Sequence, residues 1–189
     1  MTRRIDVDAY RLDRWIEGFS ARHDGATRVD EPGRVVLTGG DGATATGELF
    51  EHRRLGLLLV RRGGHAVGRD EDGELVAHTC GTRYVQSRTK KGGWSQQRYA
   101  RRRGNQADGV VAAVVELALR HLPKGGVDGL VVGGDRRLVE SVLDDPRLAH
   151  LASLERRELW DLPDPRLTVL REAARRGRAV RVTLEELVG

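Results

Sequence analysis

A chain of 189 residues with net charge +5, 32% charged and 39% hydrophobic residues can bury a core of its own, and its periodic apolar runs exclude global disorder. Aromatic residues at only 4% leave that core to Val, Leu and Ala, while the single cysteine, Cys80, excludes an internal disulfide and fits a reducing compartment. No apolar run approaches a membrane span and the opening MTRRIDVDAYRLDRW has no signal-type stretch, so a cytoplasmic protein without a membrane partner is expected.

In chain order, the spacing predicts a helix over 7–21, where Leu12, Trp15, Ile16 and Phe19 share one face, with Asp6 or Asp8 as its cap. Strands are expected at Arg34–Thr38 and Thr44–Leu49 around the Gly-Gly-Asp-Gly turn at 39–42. A three-strand meander follows over Leu55–Arg61, His65–Arg69 and Glu74–Thr79, turned at Gly63-Gly64 and at Asp70–Gly73. A helix enters near Ser95, is interrupted or kinked at Gly104-Asn105, and continues as the apolar run 106–121, ended by Pro123 and Gly125-Gly126. Then come a buried strand at Gly129–Val132, a helix at Arg136–Leu143 capped by Asp135, and a segment over Arg147–Trp160 that is partly helical and ends as strand. A helix over Asp164–Arg176, with Pro165 in its first turn and Gly177 at its end, leads to a last strand at Ala179–Leu184. This order predicts an α/β fold, a mixed β-sheet with flanking helices, as one domain over 1–189 in which 1–50 is a helix-plus-hairpin elaboration.

Charge is unevenly spread. Between Glu74 and Asp108 there is no acidic residue, yet eight cations lie there: Arg83, Arg88, Lys90, Lys91, Arg98, Arg101, Arg102 and Arg103. Removing these eight from a net +5 leaves the rest of the chain at −3. A segment that holds all the positive excess points to a polyanion, although a basic run also serves as a merely solvated face.

Within the segment, the adjacent Gly92 and Gly93 allow close approach of backbone to a ligand, and Lys90 and Lys91 precede them. Gln96 and Gln97 fall on the first turn of the expected helix, whose free amides and dipole favour an anion. Arg98, Arg101 and Arg102 recur at i, i+3, i+4 and share a helix face that can straddle a phosphate backbone, with Arg88 and Arg103 adding charge on either side. Trp94 and Tyr99 offer stacking surfaces for unpaired bases, as at single-stranded RNA ends. A glutamine amide is neither a strong base nor a nucleophile, but it donates and accepts at once and so can hold a water against a scissile group. Taken alone, Gln96 is equally a helix-surface residue, and Gln97 is its register alternative.

The run GTRYVQSRTKKGGWSQQRYARRR after a meander, followed by a long apolar helix and GLVVGG, resembles the middle domain of the archaeal and eukaryotic class 1 peptide-chain release factors. It is most similar to their Vms-like branch, the actinobacterial peptidyl-tRNA hydrolase group, whose loop reads Gly-x-x-Gln; Gly93-Trp94-Ser95-Gln96 has that spacing, and the strict Gly-Gly-Gln is absent. The resemblance covers roughly residues 50–185 and implies an RNase H-like topology, no cofactor, and two partners, peptidyl-tRNA and the large ribosomal subunit, with no role for DNA. It implies release of nascent chains from stalled large subunits in ribosome quality control. The chemistry it implies is ester hydrolysis or cleavage at the tRNA 3′ end, with Gln96, Gly93 and Gln97 as the catalytic loop residues. The competing reading is a non-catalytic RNA-binding or ribosome-associated module in which the glutamine is incidental.

Other candidates are weaker. Cys80 and His78 lie on one face of a strand without an Asn or Asp partner, which fits an ordinary cysteine better than thiol catalysis. The six histidines have no ligand spacing, so no metal site is expected. Gly133-Gly134-Asp135 lacks the Lys-Ser/Thr of a phosphate loop and reads as a tight turn.

Overall fold

Residues 1–82 and 95–186 are described by the computed structural model, the side chains of 95–107 excepted. The strands and helices in chain order are β1 (Thr2–Val7), α1 (Leu12–Arg22), β2 (Ala26–Glu31), β3 (Arg34–Gly39), β4 (Thr44–Glu48), β5 (Arg54–Arg61), β6 (Gly64–Glu71) and β7 (Glu74–Thr82). They continue as α2 (Ser95–His121), β8 (Gly129–Gly134), α3 (Arg136–Leu143), α4 (Ala149–Ala152), β9 (Glu155–Leu159), α5 (Leu167–Arg178) and β10 (Val180–Glu185). Short 3-10 turns at Ala9–Arg11 and Pro146–Leu148 precede α1 and α4. Contacts divide the chain into two compact units, one of residues 1–52 and 175–189 and one of residues 53–174.

The first unit is a five-stranded antiparallel sheet in the order β1-β10-β4-β3-β2. Val7, Val180, Val182, Ala45, Val35 and Leu37 are buried on one face, and α1 lays Phe19 against them with Leu12, Trp15 and Ile16 at its margin. The helix is thus shorter than the 7–21 expected from the apolar spacing, because residues 2–7 pair with the C-terminal strand instead. Nor do Asp6 and Asp8 cap it by their side chains: Asp6 accepts from Arg176 Nε at 2.8 Å, and Asp8 pairs with Arg175. At the far end of α1, His23 Nδ1 meets Asp41 Oδ2 at 2.8 Å. The Ala43 backbone N–H and the His23 ring hold the Asp41 carboxyl below the usual carboxylate range.

The second unit is a mixed sheet in the order β7-β6-β5-β8-β9. The meander β5–β6–β7 is antiparallel, and β8 and β9 are added parallel to β5. This is the mixed sheet with flanking helices that the element order predicts, with the antiparallel sheet of the first unit as a second sheet in addition to the one expected. The second hairpin turns on Asp72 (φ 51°) and Gly73 (φ 95°), the paired positive φ that an Asp-Gly turn of type I′ requires.

β5 is buried from Leu55 to Val60, as befits a central strand covered on both faces. Leu58 and Val60 pack with Leu130 and Val132 of β8 under Val114 and Ala118 from α2, Leu122 just past its end, and Val139 and Val142 from α3. On the other face Leu57 is opposite Gly68, and the absence of a side chain there admits Leu170 of α5, whose Cδ2 stands 3.0 Å from where a Cβ would sit. Each such buried Leu or Val contributes roughly 1.5–3 kcal/mol of transfer free energy.

α2 runs unbroken from Ser95 to His121, so Gly104 and Asn105 do not interrupt it as the sequence predicts. A glycine costs about 1 kcal/mol in a helix, less than the buried stripe from Val110 to Leu122 supplies. α5 likewise passes through Gly177 to Arg178 rather than ending there, and it starts at Leu167, after Pro165. Among the described residues no helix is long and apolar enough to cross a membrane, and no three His, Cys, Asp or Glu side chains gather to hold a metal ion.

Candidate nucleic-acid interface

β7 delivers the basic segment. It is an edge strand of its sheet, and beyond its last residue, Thr82, residues 83–94 lead to α2. A register shift opposite Arg69 and Asp70 leaves Val76 46% exposed; past it, Thr79 and Gly81 are half-buried while His78, Cys80 and Thr82 are exposed. Gly81 leaves room for the His65 ring, whose far edge stands 2.5 Å from where a Cβ would sit. The Thr79 hydroxyl and His121 Nε2 form a 2.8 Å hydrogen bond that ties β7 to the last turn of α2. Burial, aided by the charge of Arg120, depresses the His121 pKa and keeps the ring neutral. Burial also pushes the Cys80 thiol pKa up, away from the thiolate a nucleophile needs.

α2 starts at Ser95, so Gln96 and Gln97 are its second and third residues, and Arg98, Tyr99, Arg101, Arg102 and Arg103 follow within its first three turns. The first turn contains no acidic residue to offset its free amides. The side chains of these residues lie outside the described residues, as do Arg88, Lys90, Lys91, Gly93 and Trp94 altogether. The helix has 27 residues, about 40 Å at 1.5 Å per residue, and the first fifteen of them precede Val110, where its described burial begins.

The register places a further feature at the end of the sheet where β7 stops. Gly64 is opposite Arg61 on one side and Thr82 on the other, so the turn Arg62-Gly63 lies one strand away from the exit of β7. On the other flank Val60 is opposite Gly134, which brings the start of α3 to the same end. Between them opens a cleft of about 370 Å3 lined by Arg61, Arg62, Gly63, Gly134, Asp135 and Asp164. Gly134 has φ 101°, and its Asp135 neighbour caps α3 by accepting from the Arg137 and Leu138 backbone N–H groups at 3.0 and 3.4 Å. Arg61 donates through Nη2 to the Leu162 carbonyl and stands 3.9 Å from Asp164, while its buried Nε has no hydrogen-bond partner among the described residues.

Sequence reasoning reads Gly133-Gly134-Asp135 as a tight turn, whereas the two glycines end β8 and Asp135 caps α3 directly after them; it does not find the cleft. Its residues come from three stretches far apart in the chain, and only the strand register gathers them. None of them belongs to the acid-free segment between Glu74 and Asp108.

In a comparison with known families, the model of a family described as Actinobacteria/chloroflexi VLRF1 release factor fits residues 53–183, more than half of the chain. No curated protein matches. The matched span opens just before β5 and closes within β10, and it includes β7, Gly93–Gln96 and all of α2.

Proposed function

The chain belongs to the Actinobacteria/chloroflexi VLRF1 release-factor family, and on that premise we propose that it frees nascent chains from peptidyl-tRNA on stalled large ribosomal subunits. The observation that carries this reading is the extent of the family match, which runs from before β5 into β10 and includes Gly93-Trp94-Ser95-Gln96. The chain's role in translation follows from the family; the reaction and its residues are the proposal.

Gln96 is the positioning group. Its amide oxygen accepts from the nucleophile and its amide N–H donates to the reacting centre, without taking a proton itself. In ester hydrolysis a water attacks the carbonyl carbon, the bond to the terminal ribose oxygen breaks, and that oxygen takes up the proton. The products are a free peptide and an intact tRNA. In tRNA cleavage a ribose 2′-hydroxyl attacks its neighbouring phosphorus, the 5′-oxygen leaves and takes up the hydroxyl proton, a 2′,3′-cyclic phosphate remains on the shortened tRNA, and the peptide departs still esterified to the 3′-terminal fragment. Either way the protein supplies orientation, an effect of up to about 7–11 kcal/mol in favourable cases. Arg88, Lys90, Lys91, Arg98, Arg101, Arg102 and Arg103 hold the backbone of the acceptor arm, and Trp94 and Tyr99 stack on its unpaired end.

Incubating the protein with purified large subunits that carry peptidyl-tRNA, and then sequencing the RNA 3′ end, tests the reading. An intact 3′ end with freed peptide is the mark of ester hydrolysis, and a shortened tRNA with a cyclic phosphate is the mark of cleavage. Binding to the subunits with neither product would make the chain a non-catalytic ribosome-associated module and overturn the proposal.

A further inference from the structure

We propose that the arginines around the cleft at the C-terminal ends of β5 and β8 form a second phosphate-contacting surface, which holds the sugar-phosphate backbone of the tRNA acceptor arm beside the exit of β7. This rests on the tRNA reading above and adds residues that lie outside the acid-free segment. The cleft is lined by Arg61 and Arg62, and Arg137 and Arg166 each follow one of its lining residues by two positions, Arg137 after Asp135 on the first turn of α3 and Arg166 after Asp164.

Three observations support it. First, Arg62, Arg137 and Arg166 are exposed, and their guanidinium groups have no ion-pair partner among the described residues. Nearby Arg136 is different, since it meets Glu158 at 3.2 Å and lies over the Trp160 ring at 4.8 Å. Second, the acids at this end are partly committed: Asp135 caps α3, and Asp164 stands a loose 3.9 Å from Arg61. Arg61 is meanwhile braced by the Leu162 carbonyl, and its Nε donor is unmatched among the described residues. Third, the register fixes the spacing. Strands about 4.8 Å apart put Arg61 roughly 10 Å from Thr82, and Gly134 roughly 14 Å. Thr82 is the last described residue before the glutamine segment, so a duplex end brought to the exit of β7 passes this surface.

Planar guanidinium groups match phosphate oxygens two at a time, and such contacts set position without reading sequence. Each one also adds close to one unit to the salt dependence of binding.

The test uses the full chain and an RNA hairpin with an acceptor stem ending in single-stranded CCA, titrated over a range of salt. The variant Arg62→Ala/Arg137→Ala/Arg166→Ala removes only exposed side chains. It is expected to bind at least about 10-fold more weakly at low salt, with a salt slope shallower by about two to three. Arg62→Ala alone reads the same effect as a slope change of about one. Lys124→Ala, which loses one charge as Arg62→Ala does but at the opposite end of the sheet, is the control for that single variant and leaves the slope within a few tenths of wild type. Wild-type slope and affinity in the triple variant would overturn this proposal and leave the release function standing. Loss of affinity for isolated large subunits but not for the hairpin would overturn it too, by assigning the surface to ribosomal RNA. A wild-type chain that does not bind the hairpin at any salt would sink the tRNA reading, and this inference with it.

Discussion

Gly134 illustrates how one residue sets the geometry of the cleft. Its φ of 101° is open to glycine, and a Cβ would stand 2.2 Å from the Val60 carbonyl oxygen, which accepts the Asp135 N–H at 2.7 Å. Any side chain must move β5 or α3. Gly134→Ala is therefore expected to destabilise the protein by about 1–3 kcal/mol, the cost of a strained backbone residue, read as a lower denaturant midpoint at unchanged m-value. An unchanged midpoint would show that this corner yields freely. The sequence discloses this residue well, because a strand ending in two glycines before an aspartate has few other uses. It discloses Arg61 and Arg62 poorly: each is one cation in a strand-turn-strand run, and their significance depends on Thr82 and Gly134 standing alongside. Gln96 is the opposite case, found by its spacing from Gly93 and by the resemblance that spacing carries, while its side chain lies outside the described residues.

At the scale of elements, α2 joins the two ends of the argument. One end carries the glutamines and arginines, and the other is fastened by His121 to Thr79 of β7. Because the folded His121 pKa is depressed below 6.5, the unfolded chain takes up a proton that the folded one resists. Stability is then unaffected well above 6.5 and is lost as pH falls through it. His121→Gln removes that titration, so melting temperature should fall less between pH 7.5 and 5.5 in the variant than in wild type. Equal falls would show that the ring titrates alike in both states.

Most elements were legible because their period was clear, as for the meander, α3 with its Asp135 cap, and the apolar half of α2. β1 and β2 were not. Both are polar edge strands whose order comes from pairing, and the partner of β1 lies near the other end of the chain. The apolar spacing of Leu12, Trp15, Ile16 and Phe19 was read correctly, but its helix was extended too far toward the N-terminus, since nothing local distinguishes residues 7–11 from a first turn.

At the scale of the whole chain, two facts are joined. The family match begins at residue 53, where the second compact unit also begins, and the positive excess of the chain is concentrated between β7 and the middle of α2. A slightly acidic remainder with one basic segment gives long-range attraction that is local, so binding is expected to be oriented as well as salt-dependent. That distribution was legible from composition alone. The division into two units was not, because the first unit is completed by β10, which no local pattern assigns to β1 and β4.

The central claim is that one amide side chain accelerates release. The most direct measurement is single-turnover release of nascent chains from large subunits carrying peptidyl-tRNA, comparing wild type with Gln96→Ala at saturating protein. The account predicts that the variant binds the subunits with unchanged affinity and releases roughly 100- to 1,000-fold more slowly, the loss typical of removing one positioned hydrogen-bonding group. Equal release rates for the two proteins, with binding intact, would contradict it.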